Sequence, residues 1–166
     1  TPAFWLLAIS SVMFSMSSTG VGFFQFTYYL EQGIDASLAS GAVSMFAFGL
    51  FAGGVFWGWL ADRVSVRFLI MLQYAMAASI MLYLLRVDTA MEAYPFGFAM
   101  GSLVGGAMSL PTLLLASYFG RRSLGAIAGV FQMSRGLSLG SGPLVASLLL
   151  DVTGSFETAF IVFSVL

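Results

Sequence analysis

Long apolar runs broken by short polar stretches set the rhythm of this chain. The runs cover residues 4–30, 36–61, 68–85, 91–119 and 123–150, and a further run begins near 156. A helix needs about 20 mainly apolar residues to cross the ~30 Å hydrocarbon core of a bilayer. All the complete runs but the third exceed that length, so tilted helices or protruding ends are expected. The last run, 156–166, holds about eleven residues and is too short to span. The pattern predicts an all-α integral membrane bundle of about six transmembrane helices, the sixth truncated. The opening Thr1-Pro2-Ala3-Phe4-Trp5 carries no initiator Met, basic segment or cleavage site, so the first run reads as a helix and not a signal peptide. With the last run cut short, the sequence reads as a piece cut at both ends.

Small and kinking residues lie within the runs. Gly49, Gly53, Gly54 and Gly58 fall on the second predicted helix, and Gly101, Gly105 and Gly106 on the fourth. In water such glycines would weaken a helix; in a membrane they let backbones approach closely. Pro111 and Pro143 sit inside helices four and five and are expected to kink them.

Composition narrows the reading. Hydrophobic residues make up 60% of the chain and charged residues 8%, against roughly 25% charged in an ordinary soluble domain. So few ionisable groups cannot cover a soluble fold, whereas a bilayer needs no such cover. The chain has no Cys, no His and no Lys. The commonest catalytic base, the usual zinc ligand, thiolate sites and the Schiff-base nucleophile are thus all missing, which argues against an enzyme and predicts no metal site. With a net charge of −1 and no basic stripe, nucleic acid is not an expected partner.

The charges between the runs predict a topology. Arg63, Arg67, Arg121 and Arg122 fall in the breaks after helices two and four, with Asp62 as the one acid. Glu31, Asp35, Asp88, Glu92, Asp151 and Glu157 fall in the other breaks, with Arg86 as the one base. Basic short loops stay in the cytoplasm, so the amino terminus is predicted inside. An internal repeat appears at an offset of 89 residues: Gly58-x-Leu60-x-Asp62-x-x-Ser65 returns as Ser147-x-Leu149-x-Asp151-x-x-Gly154. It divides the chain into two units, 1–89 and 90–166, of three helices each. An odd number of helices per unit inverts the second copy, an architecture common among secondary transporters.

The stretch Gly58-Trp59-Leu60-Ala61-Asp62-Arg63-Val64-Ser65-Val66-Arg67 resembles the loop motif of the major facilitator superfamily, Gly-x-Leu-Ala-Asp-Arg-x-Gly-Arg-Arg. Gly58, Leu60, Asp62, Arg63 and Arg67 match, while Ser65 and Val66 depart from it. On physical grounds Gly58 would allow close packing at the helix end, and Asp62 would pair with a neighbouring guanidinium or cap an adjoining helix, forming a conformational latch. The weakened motif is similar to the copy in the carboxy-terminal half of these proteins. Phe4-Trp5-Leu6-Leu7, Gly142-Pro143 and Leu150-Asp151-x-Thr153-Gly154-Ser155-Phe156 are similar to helices seven and eleven-to-twelve of monocarboxylate- and oxalate/formate-type facilitators. The resemblance covers essentially the whole chain and implies half of such a transporter. Monocarboxylate carriers bear an Asp and Arg pair inside the helix corresponding to 36–61; that run carries no charge here, so the pair is not carried over.

One charge falls deep within a run. Arg135 lies thirteen residues beyond Arg122 and sixteen before Asp151, ~20 Å and ~24 Å along a helix. An arginine so near the midplane costs about 3 kcal/mol upwards and faces a partner or a watery cavity. Gln132 and Ser138 lie three positions away on either side. Two readings are open: a guanidinium fork for an anionic substrate, or a structural arginine bonded to backbone carbonyls or to the other half. Gln25, with Tyr28 and Tyr29 at helical spacing, offers a second polar face. The resemblance implies that helices one, two, four and five line a cavity, where that face would meet Arg135. The alternative for the tyrosines is anchorage at the outer interface. Ser109 and Thr112 flank Pro111 and would re-satisfy backbone groups freed there.

Together these features predict a major-facilitator-type half-bundle. The resemblance implies alternating-access transport of a small anionic, carboxylate-type solute across the cell membrane. The alternative is a non-transporting helical scaffold, or a lipid- or pigment-handling relative of the same fold. The expected partners are the bilayer, an amino-terminal six-helix half and a small-molecule substrate. No cofactor is expected, and no acid that could carry a coupling proton lies within these runs.

Overall fold

The computed structural model describes residues 2–87, 89–119, 124–153 and 161–162. It places α1 at Pro2–Glu31, α2 at Ala36–Ala61, α3 at Val66–Leu84, α4 at Ala90–Phe119 and α5 at Leu124–Thr153. Helix boundaries fall within three residues of the apolar runs. The small excess arises because a helix continues into its polar ends until a turn residue stops it. The sixth expected run lies almost wholly outside the described residues. So do Asp88, Arg121, Arg122 and Glu157, on which part of the predicted topology rests.

The turns follow local chemistry. Gly33 adopts a positive φ of 78° after α1. Its N–H donates to the Leu30 carbonyl and that of Ile34 to the Tyr29 carbonyl, both at 3.0 Å. This paired closure ends a helix around a left-handed residue. Two residues later the Asp35 side chain accepts from the Ser37 N–H at 2.8 Å and caps α2.

Four helices, α1 to α4, are long and apolar enough to cross a membrane. α5 has a comparable length of 30 residues, but its middle carries Gln132, Ser134, Arg135, Ser138 and Ser141. The bundle is thus apolar through four helices and polar through the centre of the fifth.

Backbone-to-backbone contact joins α2 and α4. A Cβ at Gly49 would collide with the Phe98 carbonyl, and one at Gly53 with the Ser102 backbone. In return, a Cβ at Gly101 would meet the Phe46 carbonyl and one at Gly105 the Leu50 carbonyl. Glycines four apart on both helices form one seam, and dispersion contact between main chains takes the place of a hydrophobic drive that lipid cannot supply. α1 and α5 form a second seam, where Gly142 lies against Met16, Thr19 and Gly20. α3 packs on α4. Two apolar clusters fill the interior, one around Tyr29, Leu84 and Phe96, the other around Phe14, Leu69, Leu110 and Phe131.

Gly58 departs from expectation. A Cβ there would meet nothing within 4 Å, so among the described residues it supports no close packing. The helix-to-helix approach is made further up α2, at Gly49 and Gly53.

Candidate functional site

Arg135 stands half-buried in the polar middle of α5. Its Nη1 donates to the Ala107 carbonyl of α4 at 3.1 Å. The choice of that carbonyl has a cause in the sequence. In a helix the carbonyl of residue 107 would accept from the N–H of residue 111, but residue 111 is a proline inside α4 and has none. An orphaned carbonyl away from water costs about as much as a lost hydrogen bond, and the guanidinium of Arg135 supplies the missing donor. The Ser109 hydroxyl, expected to serve this kink, donates instead to the Gly106 carbonyl at 3.2 Å.

Around this contact lies a set of polar side chains from α1, α2 and α3. The Tyr74 hydroxyl is an electrostatic neighbour of Arg135 and shares a 3.0 Å hydrogen bond with the Ser11 hydroxyl. Gln73 Nε2 donates to the Leu103 carbonyl, one turn before Ala107 on the same helix. Gly106 leaves room for the Trp57 indole and the Gln73 amide. Two buried atoms of this group, Trp57 Nε1 and Gln73 Oε1, have no partner among the described residues.

The other expected site residues are distributed differently. Ser138 is buried, and its hydroxyl donates to the Ser134 carbonyl of its own helix at 3.1 Å. Its carbonyl accepts from Thr19 Oγ1 at 3.5 Å, which places it in the α1–α5 seam. Gln132 is exposed. Gln25 is buried and lines a groove of about 340 Å³ with Thr19, Phe46, Leu139 and Pro143; Arg135 is not part of that lining. Tyr28 is buried and its hydroxyl donates to the Leu84 carbonyl at 3.4 Å. The expected meeting of the Gln25–Tyr28 face with Arg135 is replaced by two separate environments. Tyr28 closes the end of α3, whereas Arg135 is held at the Ala107 turn of α4, just before Pro111.

Tyr74 and Ser11 were not among the expected site residues. A signal existed in the buried polar stripe Ser11, Ser15, Ser18 and Gln25 on α1, whose spacing keeps one helix face. Serines in membrane helices bond readily to their own backbone, so that stripe alone does not mark a site.

The loop between α2 and α3 has its own arrangement. Asp62 follows α2 as its C-cap and is exposed. It makes no ion pair among the described residues. Nor does it cap α3, whose N-cap is Ser65 without a side-chain bond. Arg63 turns back on its own helix: its Nη1 donates to the Trp59 carbonyl at 3.3 Å, and the guanidinium lies 3.9 Å from the Trp59 ring centroid, a cation–π contact. Arg67 lines a groove of about 370 Å³ with Leu6, Leu7, Tyr74, Leu114 and Tyr118. The expected pairing of Asp62 with a guanidinium is thus not made among the described residues: Arg63 turns to Trp59 and Arg67 to the groove.

The fold agrees with what the chain is similar to. The sequence pattern described as the Major Facilitator Superfamily matches residues 5–166. The chain belongs to that family, a family of multi-pass membrane transporters, and its helices are consistent with a major-facilitator half-bundle. Among curated proteins it is similar to Monocarboxylate transporter 12 of Mus musculus, 25% identical over 162 residues, which is 95% of this chain and 33% of that protein. The protein of the same name from Rattus norvegicus is 24% identical over the same length. The chain thus spans about a third of the length of these relatives.

Proposed function

We propose that this chain forms the carboxy-terminal half-bundle of a secondary transporter that moves a small carboxylate-type anion across the cell membrane by alternating access. The observation that carries the reading is Arg135. It is a half-buried cation in the middle of the 30-residue α5, and its hydrogen bond goes to a neutral carbonyl. No carboxylate offsets its charge among the described residues. A positive charge kept in a membrane at such cost, without a counter-ion, suits an anion that comes and goes. It stands in the polar centre of α5, and the similarity to proteins named monocarboxylate transporters supports a carboxylate. Gln132, exposed on the same helix, is the nearest candidate for a second contact to the solute. Gln25 and Ser138 would act through the α1–α5 groove and seam, and Tyr28 through its hold on the end of α3.

The amino end of α1 is assigned to the cytoplasm, from the excess of arginines in the breaks after α2 and α4. The repeated triplets find support in the packing. Exchanging α1 with α4 and α2 with α5 turns the α2–α4 glycine seam into the α5–α1 seam, as an inverted repeat requires. For the loop motif, Gly58, Asp62, Arg63 and Arg67 would form the latch against the amino-terminal half. Asp62 is exposed and free of ion pairs among the described residues, and Gly58 has open space before it, so both are available to a partner beyond this chain.

The test is uptake of radiolabelled monocarboxylates by the full-length protein in liposomes. Arg135→Ala is expected to lower uptake at least tenfold, and Arg135→Lys to retain part of it. Undiminished uptake of every transported anion by Arg135→Ala would remove the substrate role.

A further inference from the structure

The bond between Arg135 and Ala107 joins two features that the sequence carries twenty-eight residues apart. Pro111 deprives the Ala107 carbonyl of its donor, and Arg135 on the neighbouring helix replaces that donor. We infer that the guanidinium is a strap between α5 and the Ala107 turn of α4, and that an incoming carboxylate breaks the strap, so that anion binding loosens α4 at Pro111. This rests on the reading of Arg135 as the anion-binding group.

The argument is one of competing acceptors. A guanidinium meets a carboxylate with two parallel N–H···O bonds between opposite charges, against the single bond to a neutral carbonyl that it makes here. The fork is rigid, so a carboxylate that takes two of its edges swings the guanidinium and draws Nη1 off Ala107. The carbonyl is then left without a donor, because proline cannot supply one and the described Ser109 hydroxyl is committed to Gly106. α4 must move to meet water or a new partner. Gly105 is packed on α2 and Gln73 holds the previous turn through the Leu103 carbonyl, leaving the Ala107 turn before Pro111 fastened by Arg135. Movement there reaches the α2 seam directly, since Gly105 lies on the Leu50 and Gly54 backbone. A ligand shifts such an equilibrium only by making different contacts in its two states, and the exchange of Ala107 for a carboxylate is such a difference.

The test is a double-mutant cycle on the full-length transporter in nanodiscs, read by hydrogen–deuterium exchange of the α4 amides around Pro111. Arg135→Met should speed exchange there roughly fivefold, the factor equivalent to about 1 kcal/mol. Pro111→Ala restores an N–H to the Ala107 carbonyl, and in that background Arg135→Met should leave the same amides unchanged. Arg135→Lys, which keeps the charge, guards against a folding defect and should give an intermediate rate. Saturating pyruvate should reproduce the effect of Arg135→Met in the unmodified protein and not in Pro111→Ala. Equal acceleration in both backgrounds would overturn the strap, as would pyruvate that leaves exchange around Pro111 unaltered. The cycle without pyruvate needs no substrate, so a failed strap is distinguishable from a failed transport role, which shows itself as undiminished uptake by Arg135→Ala.

Discussion

Buried polar atoms in this bundle divide into those that hold something and those that hold nothing. Arg135 belongs to the first kind, because its removal orphans a carbonyl that no other group serves. Gln73 shows the second kind on one of its two atoms. Its Nε2 donates to the Leu103 carbonyl, which already accepts within α4, while its Oε1 has no partner among the described residues. A net hydrogen bond contributes about 0.5–1.5 kcal/mol, whereas an unsatisfied buried group costs about 1–3 kcal/mol. The second term wins, so Gln73→Met, close to it in shape, should leave the thermal unfolding temperature unchanged or raise it. A clear fall in that temperature would mean that Oε1 is satisfied by a group from the other half. The depth of Arg135 and the proline at 111 were each legible in the sequence. Their pairing was not, since helical spacing relates positions on one helix and carries no register between two. The same limit explains why Gln25 and Tyr28 were expected near Arg135: they share a face of α1, but the rotation of α1 against α5 decides what that face meets.

Among the helices, glycine has three different meanings here. Gly101 lies in the α2–α4 seam, where an added side chain meets the Phe46 backbone. Gly101→Val should therefore destabilise by several kcal/mol, on the scale of an overpacked core, and appear as loss of the folded peak in size-exclusion chromatography. Gly58 has open space, and Gly58→Ala should unfold at the wild-type temperature; if uptake falls while stability holds, the glycine serves contact with the other half. Gly33 closes α1 with a φ of 78°. Gly33→Ala should cost about 1 kcal/mol from left-handed strain, seen as a small drop in melting temperature. Helix existence and the glycines that permit close approach were readable in advance because membrane length and small-residue spacing are properties of one segment; that α2 meets α4 was not. Gly58 meets nothing among the described residues, because a glycine in a helix marks possible approach and only the fold decides which of several is used within this chain.

For the molecule as a whole, much apolar surface faces outward, including Phe51, Met91 and Leu137, as expected of a bundle surrounded by lipid. The proposed orientation predicts where its loops emerge. This stretch has no cysteine of its own, so single cysteines report cleanly once any elsewhere in the protein are removed. Gln32→Cys should react with a membrane-impermeant maleimide from outside intact cells, and Val64→Cys only after permeabilisation. The reverse pattern would invert the topology. The central claim, that Arg135 binds the transported anion, is tested most directly by uptake of radiolabelled monocarboxylates into liposomes holding the full-length protein. Wild-type uptake should fall at least tenfold in Arg135→Ala and partly recover in Arg135→Lys, with a raised KM. Uptake by Arg135→Ala equal to wild type, for every monocarboxylate that the wild type moves, would contradict the account.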